Sequence, residues 1–126
     1  MGYFVIKTVA SGVKFDLRAG NGEVVATSEV YKTAAACRKG IRSVISNAHK
    51  AKIEDQTEAF RALTNPKFEL YQDRAGLYRF RLRSRNGAII AVSEAYNSKI
   101  GCMDGIESVK NNVISAEILE NSQNKY

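Results

Sequence analysis

Residues 15–31 read FDLRAGNGEVVATSEVY, and residues 80–96 read FRLRSRNGAIIAVSEAY. The two stretches lie 65 positions apart, and at this offset 17 of the 39 residues from 15 to 53 recur unchanged. Self-similarity over such a length indicates a duplicated structural unit, so we predict two repeats, residues 3–55 and 67–120, joined by residues 56–66. A chain of 126 residues has the usual size of one domain, and we expect residues 1–126 to form a single one.

Three strand patterns open each repeat. Phe15 and Leu17 alternate with polar residues, which is the period of a half-buried strand. Asn21-Gly22 and Asn86-Gly87 lie between strand patterns and predict two-residue type I′ hairpin turns. In the first repeat such a turn places Leu17 opposite Ala26 and Arg18 opposite Val25. The buried face of the third strand would then consist of Val24, Ala26 and Ser28.

A helix pattern follows the third strand. Thr33 and Ser98 stand at the positions expected of N-cap residues. Apolar residues then recur at i, i+4, i+7 and i+11, the spacing of one buried helix face. They are Cys37, Ile41, Val44 and Ala48 in the first repeat, and Cys102, Ile106, Val109 and Val113 in the second.

Glycine and asparagine residues mark the same places in both helices. Gly40 and Gly105 predict a close approach between the helix backbone and the sheet, and Asn47 and Asn112 predict helix ends in the left-handed conformation. A short alternating run after each helix predicts a fourth strand. The predicted fold class is α+β: a β-β-β-α-β unit in tandem duplication, forming one antiparallel sheet with both helices on one face and a pseudo-two-fold axis between the halves.

The repeated motifs are similar to those of a known family. Residues 21–31, residues 86–96 and the pattern Gly-Ile-x-Ser-Val at 40–44 and 105–109 resemble the YegP-like family, a domain of unknown function. The resemblance covers both repeats and implies that the C-terminal strand of each unit crosses to its partner unit. It also implies that tandem members are monomers. The family has no established reaction, ligand or catalytic residue, so the resemblance implies no cofactor.

Composition narrows the function classes modestly. The formal net charge of +6 suits solubility alone or a polyanionic partner. The chain shows no apolar run of the ~20 residues that a membrane-spanning helix needs and no secretory signal pattern, so we expect a cytoplasmic protein without a membrane partner. Cys37 and Cys102 are expected to be reduced core thiols. One histidine, His49, and two distant cysteines lack metal-ligand spacing, so we predict no metal site.

Alternating arginines form the clearest candidate binding surface. Arg79, Arg81, Arg83 and Arg85 share one face of a predicted strand, with Tyr71 possible on the same face of the neighbouring strand. Such a row could follow phosphate groups while an aromatic ring stacks on a base. The alternative interpretation is a solvated outer sheet face, in which arginine stems cover outward apolar residues.

The other repeated motif that could carry chemistry is Ser-Glu-x-Tyr. It consists of Ser28, Glu29 and Tyr31, and of Ser93, Glu94 and Tyr96. Two glutamates that met across the pseudo-axis could share a proton in acid-base catalysis. The alternative is structural: a carboxylate near a helix start and a packed tyrosine ring. We assign no catalytic residue.

Three hypotheses follow from these patterns. The first is a small non-enzymatic binding module with a basic sheet face for nucleic acid or protein. The second is an enzyme of unknown reaction that uses the paired Ser-Glu-x-Tyr motifs. The third is a structural homodimerisation domain, whose contact surface would be the outward apolar residues Val25, Ile90 and Val92.

Overall fold

The computed structural model describes residues 2–120. Its elements follow one order twice, three strands, a helix and a fourth strand, as the sequence predicts. In the first repeat they are β1 (Tyr3–Val9), β2 (Gly12–Arg18), β3 (Val24–Thr27), α1 (Ala34–Ala48) and β4 (Lys52–Asp55). In the second they are β5 (Lys67–Gln72), β6 (Tyr78–Arg83), β7 (Ile89–Val92), α2 (Lys99–Asn112) and β8 (Glu117–Glu120).

All eight strands form one sheet in the order β4-β5-β6-β7-β3-β2-β1-β8. This order reads the same from either edge once the repeats are exchanged, so a pseudo-two-fold axis passes between β7 and β3. The predicted α+β class and the crossing of the fourth strands are confirmed, because β4 pairs with β5 of the second repeat and β8 pairs with β1 of the first. The sheet is mixed rather than antiparallel throughout, since both of these edge pairs are parallel.

An ion pair joins each edge strand, β4 or β8, to the helix of the other repeat. The Lys99 ammonium of α2 lies 2.9 Å from the Asp55 carboxylate of β4. Arg38 of α1 pairs with Glu120 of β8. Each fourth strand is therefore held by a strand and by a helix of the other repeat, and these contacts join the two repeats into one fold.

The core fills the layer between the sheet and the two helices. Four phenylalanines are fully buried there and pack edge to face in two pairs, Phe4 with Phe15 at 5.6 Å between ring centroids and Phe68 with Phe80 at 5.8 Å. The predicted apolar stripes of both helices are buried against them. No helix within residues 2–120 is long and apolar enough to cross a membrane.

The hairpin turns differ from the predicted type I′ geometry. Gly22 has φ +89°, but Asn21 is not among the residues with positive φ. The Gly22 amide donates to the Ala19 carbonyl at 2.8 Å, and the Ala19 amide donates to the Glu23 carbonyl at 2.9 Å. These bonds define a three-residue loop in which glycine occupies the left-handed position. The second repeat forms the same loop, with Gly87 at φ +90°.

This longer loop changes the register of the third strand. Leu17 lies opposite Ala26 as predicted, but Arg18 lies opposite Val24 rather than Val25, and a bulge separates the two pairs. Val25 and its counterpart Ile90 are each only 7% exposed and belong to the buried cluster. The prediction that they form an outward apolar surface with Val92 is therefore wrong.

Helix starts were predicted more accurately than helix ends. The side chains of Thr33 and Ser98 accept hydrogen bonds from the amides of Ala36 and Gly101, as N-caps do. Asn47 does not end α1 in a left-handed conformation: its Nδ2 group donates to the Ser43 carbonyl at 2.7 Å within the helix. Asn112 likewise donates to the Ser108 carbonyl, and the left-handed residue is Ser115, at φ 55°.

Candidate functional site

Three of the four predicted arginines lie side by side on β6. Arg79, Arg81 and Arg83 are half-buried on the face of the sheet opposite the helices, which we call the open face. Arg85 is not on the strand, because β6 ends at Arg83 and Arg85 lies exposed in the hairpin loop. The Arg81 guanidinium lies over the Tyr71 ring, 4.4 Å from its centroid, so the predicted aromatic neighbour is present on this face.

A buried carboxylate holds two of these arginines, Arg81 and Arg83. Glu69, 5% exposed, lies opposite Arg81 on the neighbouring strand and accepts a hydrogen bond from its Nε atom. The Nε atom of Arg83 lies 2.9 Å from the same Glu69 oxygen, and the Lys67 ammonium lies 3.5 Å from the other. The Arg83 side chain also donates to the Gly87 carbonyl at 2.8 Å, which fixes it against the hairpin loop.

The linker between the repeats completes this group. The Leu63 amide and the Lys67 ammonium each lie 2.7 Å from one oxygen of Glu54, which is 1% exposed. The other oxygen accepts a hydrogen bond from Gln56. We call residues Glu54, Lys67, Glu69, Arg81 and Arg83 the Glu69 cluster. It places three cations around two buried carboxylates.

A smaller group of the same kind lies across the pseudo-axis. Asp16 on β2 is 3% exposed, and its Oδ2 atom lies 2.8 Å from the Lys7 ammonium and 3.4 Å from the Arg18 guanidinium. Arg18 donates to the Gly22 carbonyl, as Arg83 does to Gly87. We call Lys7, Asp16 and Arg18 the Asp16 cluster. It places two cations around one carboxylate.

The cations keep both central carboxylates ionised. Burial raises the pKa of Glu69, but hydrogen bonds from Arg81 and Arg83 outweigh burial, and the pKa lies below its ordinary value. Burial likewise raises the pKa of Asp16, and hydrogen bonds from Lys7 and Thr27 bring it below the ordinary value. The carboxylates therefore hold the cationic groups in place across the neutral pH range.

The serines of the Ser-Glu-x-Tyr motifs are used by the fold. Ser28 Oγ accepts a hydrogen bond from the Phe15 amide at 2.9 Å and donates to the Glu29 carbonyl at 2.7 Å. Ser93 makes the same two bonds with Phe80 and Glu94. Each hydroxyl thus supplies a hydrogen-bond partner to the second strand where the third strand turns away from it. Within residues 2–120, neither hydroxyl has a hydrogen bond to a side chain that could act as a base.

The motif tyrosines explain the helix glycines. A Cβ atom added to Gly40 would lie 2.2 Å from the Tyr31 hydroxyl oxygen, and one added to Gly105 would lie 2.3 Å from that of Tyr96. The glycines make room for a tyrosine side chain rather than for the sheet backbone. Burial, followed by the neighbouring Cys37 and Glu29, raises the pKa of the Tyr31 phenol above its ordinary value.

The two motif glutamates line different clefts among residues 2–120. Both are exposed. Glu29 lines a cleft with Tyr31 and α1, whereas Glu94 lies in another cleft with Tyr96 and the start of β3. This arrangement does not support the hypothesis that Glu29 and Glu94 share a proton in acid-base catalysis. Among residues 2–120, no group of histidine, cysteine or acidic side chains has the arrangement of a metal site.

Sequence reasoning missed the two buried carboxylates of the Glu69 cluster, Glu54 and Glu69. Glu69 follows Phe68 in a strand pattern, and its partners lie 12 and 14 positions further along the chain. The alternation of β5 and β6 together with their antiparallel pairing would have placed Glu69 beside Arg81. The hydrogen bonds of Glu54 with the linker residues Gln56 and Leu63 have no such pattern in the sequence that would predict them.

Comparisons with known proteins identify clear relatives. The family model described as "Domain of unknown function (DUF1508)" matches residues 10–55 and 73–120. The UPF0339 protein YegP of Escherichia coli O157:H7 is 34% identical over 125 residues, which cover 96% of this chain and 98% of that protein. A UPF0339 protein of Methanosarcina acetivorans is 60% identical over 53 residues, 42% of this chain and 91% of its own length, so it has about the length of one repeat.

A solved structure shows the same architecture. The solution NMR structure of the "protein of unknown function yegP from E. coli" superposes with a TM-score of 0.79 at 30% sequence identity. The match covers 95% of this chain and 92% of that one.

Proposed function

Because the chain belongs to the DUF1508 family, whose description states no function, we propose from the geometry that it is a small binding module whose open face holds a polyanion such as a nucleic-acid strand. One observation carries the proposal: each cluster on the open face has one cation more than it has carboxylates. The Glu69 cluster has three cations and two carboxylates, and the Asp16 cluster has two cations and one carboxylate. The excess charge is therefore both positive and held in fixed positions.

Fixed positions favour binding because less side-chain entropy is lost when a ligand arrives. Arg81 contacts Glu69 through Nε, and within residues 2–120 its terminal nitrogens make no hydrogen bond. Those nitrogens can donate to phosphate oxygens, which match the planar guanidinium well. Arg83 and Lys67 add positive charge beside it.

The two clusters lie on either side of the pseudo-axis. The strands β3 and β7 separate β2 from β6, so the clusters are about 14 Å apart, three strand spacings, in the direction across the sheet. Thr27 and Val92 face each other between them. A flexible polyanion can therefore contact both clusters at once, which favours an extended ligand over a single phosphate group.

Catalysis receives less support from the same geometry. The motif serines bond to backbone, the tyrosines lie against helix glycines, and the glutamates line separate clefts. Homodimerisation through Val25 and Ile90 is also disfavoured, because both are buried within the protein. An acidic protein surface would use the same cations as a nucleic acid, so the experiment includes both.

The test is a titration of ¹⁵N-labelled protein with short single-stranded and double-stranded RNA and DNA, and with a polyglutamate peptide, at low and physiological salt. We expect amide shifts at Tyr71, Arg81 and Arg83 with nucleic acid, weakening steeply with salt. Arg81→Ala should weaken them markedly. Arg42→Ala is the matched control, since Arg42 is exposed on α1, away from the open face.

Two results would overturn the proposal. One is the absence of shifts with every nucleic acid at low salt. The other is equal loss of binding in the Arg81 and Arg42 variants, which would show that net charge matters and the open face does not. Amide shifts with polyglutamate but not with any nucleic acid would indicate that the partner is an acidic protein rather than a nucleic acid.

A further inference from the structure

A cleft with both polar and apolar walls lies on the helix side of the sheet, away from the open face. It runs between α1 and the hairpin loop joining β6 to β7, and two adjoining hollows of about 470 and 500 Å³ form it. Both hollows share Ser43, Ser84 and Asn86. We call this the α1 cleft. Its size lies within the range of small-molecule sites.

Two cations line the α1 cleft. Lys39 lies on α1, four residues before Ser43, and lines one hollow, whereas Arg85 lies in the hairpin loop and lines the other. Both are exposed, and neither forms an ion pair within residues 2–120. They differ in this from the arginines of β6, each of which has a carboxylate partner.

Hydrogen-bonding groups accompany these cations. Asn86 Oδ1 accepts from Ser84 and from the Ala88 amide, which leaves the Asn86 amide nitrogen as a donor. Ser43 Oγ accepts from Asn47, so its hydroxyl proton remains available. Glu29, at the Tyr31 end of the cleft, supplies acceptor oxygens. The α1 cleft thus contains two cationic hydrogen-bond donors, Lys39 and Arg85, and one carboxylate acceptor, Glu29.

The duplication provides an internal comparison, because an equivalent cleft lies between α2 and the hairpin loop joining β2 to β3. The positions equivalent to Lys39, Arg85 and Ala88 are occupied by Asp104 on α2 and by Gly20 and Glu23 of the first repeat. Glu23 and Glu94 line the equivalent cleft, which is therefore acidic. Because the duplicated fold gives both clefts the same surrounding elements, the positive charge of the α1 cleft is not a requirement of folding.

We propose that the α1 cleft binds a compact phosphate monoester that carries hydroxyl groups, as a sugar phosphate does. The phosphate lies between Arg85 and Lys39, where charge-assisted hydrogen bonds from the guanidinium, the ammonium and the Asn86 amide meet its oxygens. The ligand hydroxyls donate to Glu29 and accept from Ser43. This site is independent of the polyanion surface on the opposite face of the sheet.

Ribose 5-phosphate, inorganic phosphate and ribose are the probes. We expect ribose 5-phosphate to shift the amides of Ser43, Asn86 and Gly87, inorganic phosphate to shift them more weakly, and ribose to leave them unchanged. Gly105 and Ser108 in the equivalent cleft should not respond.

The variants exchange residues between the clefts, so each new residue already occurs at its counterpart position. Arg85→Gly and Lys39→Asp should each weaken ribose 5-phosphate binding about tenfold or more. The reverse double variant, Gly20→Arg with Asp104→Lys, should create shifts at Ser108.

Arg81→Ala should bind ribose 5-phosphate as the unaltered protein does, which separates this site from the proposed function. Unchanged binding in Arg85→Gly and Lys39→Asp, or no amide shifts with ribose 5-phosphate at millimolar concentration, would overturn the proposal.

Discussion

Gly40→Ala is the substitution that best tests whether the motif tyrosines are structural. The added methyl group would lie 2.2 Å from the Tyr31 hydroxyl oxygen and 2.7 Å from Cζ, far inside van der Waals contact. Tyr31 has little room to yield, because its backbone makes two hydrogen bonds with Val13, of 2.6 and 2.8 Å, and its ring stacks on Phe15. The helix or the ring must therefore move by about 1 Å, the shortfall from ordinary contact distance.

The free energy of unfolding follows from two opposing effects. Alanine favours a helix interior over glycine by about 1 kcal/mol. Overpacking a rigid core site costs about 1–3 kcal/mol, and the constraints on Tyr31 place this site at the upper end. We expect Gly40→Ala to destabilise the protein by about 1–2 kcal/mol, which lowers Tm by roughly 4–10 °C in a domain of this size.

Thermal and urea unfolding followed by circular dichroism measure this change. Ser46→Ala, at an exposed position of the same helix, is the control and should be neutral or slightly stabilising. In a Tyr31→Phe background the cost of Gly40→Ala should shrink, because the closest atom is gone. Equal or higher stability of Gly40→Ala would refute the reasoning and leave the tyrosine free for another role.

Three further predictions concern buried polar groups. Ser28→Ala should cost about 1–3 kcal/mol in unfolding experiments, because the buried Phe15 amide loses its acceptor, and a neutral effect would contradict that role. The free energy of unfolding should fall as pH drops below about 5. The pKa of Glu69 is lower in the folded protein than in the unfolded chain, so ionised Glu69 stabilises the fold at pH values above the unfolded pKa. This contribution is lost as pH falls through the lower, folded pKa. Glu69→Gln should flatten this part of a pH titration of stability, whereas an unchanged slope would count against it. Burial raises the pKa of Cys102 to about 11, so mass spectrometry should detect no alkylation by iodoacetamide at pH 8 until urea unfolds the protein; rapid alkylation of the folded chain would disprove its burial.

The sequence was sufficient to predict the features that depend on periodicity. The duplication, the apolar stripes of both helices and the N-caps Thr33 and Ser98 all follow from spacing along the chain. The parallel edge strands did not, because alternation within a strand does not reveal the direction of its neighbour. Their crossing came from the family resemblance.

The turn and the cation clusters show where spacing alone fails. An Asn-Gly sequence is compatible with two-residue and with three-residue loops, and Asn21-Gly22 forms the longer one. The bulge that accompanies this loop places Val25 in the core instead of on the outer face. The arginine row was located correctly on β6 except for Arg85. Its ion pairs were missed because Glu69 reaches the arginines through strand pairing rather than through proximity in sequence.

The salt dependence of single-stranded RNA binding tests the proposed function most directly. With the four open-face cations Lys7, Arg18, Arg81 and Arg83 contacting phosphates, the slope of log K against log salt concentration should be about −3, and Arg81→Ala should reduce its magnitude by about 0.7. Arg42→Ala should leave the slope unchanged. A slope near zero, or one that Arg81→Ala does not alter, would contradict the proposal that the carboxylate-held cations of the open face form the binding surface.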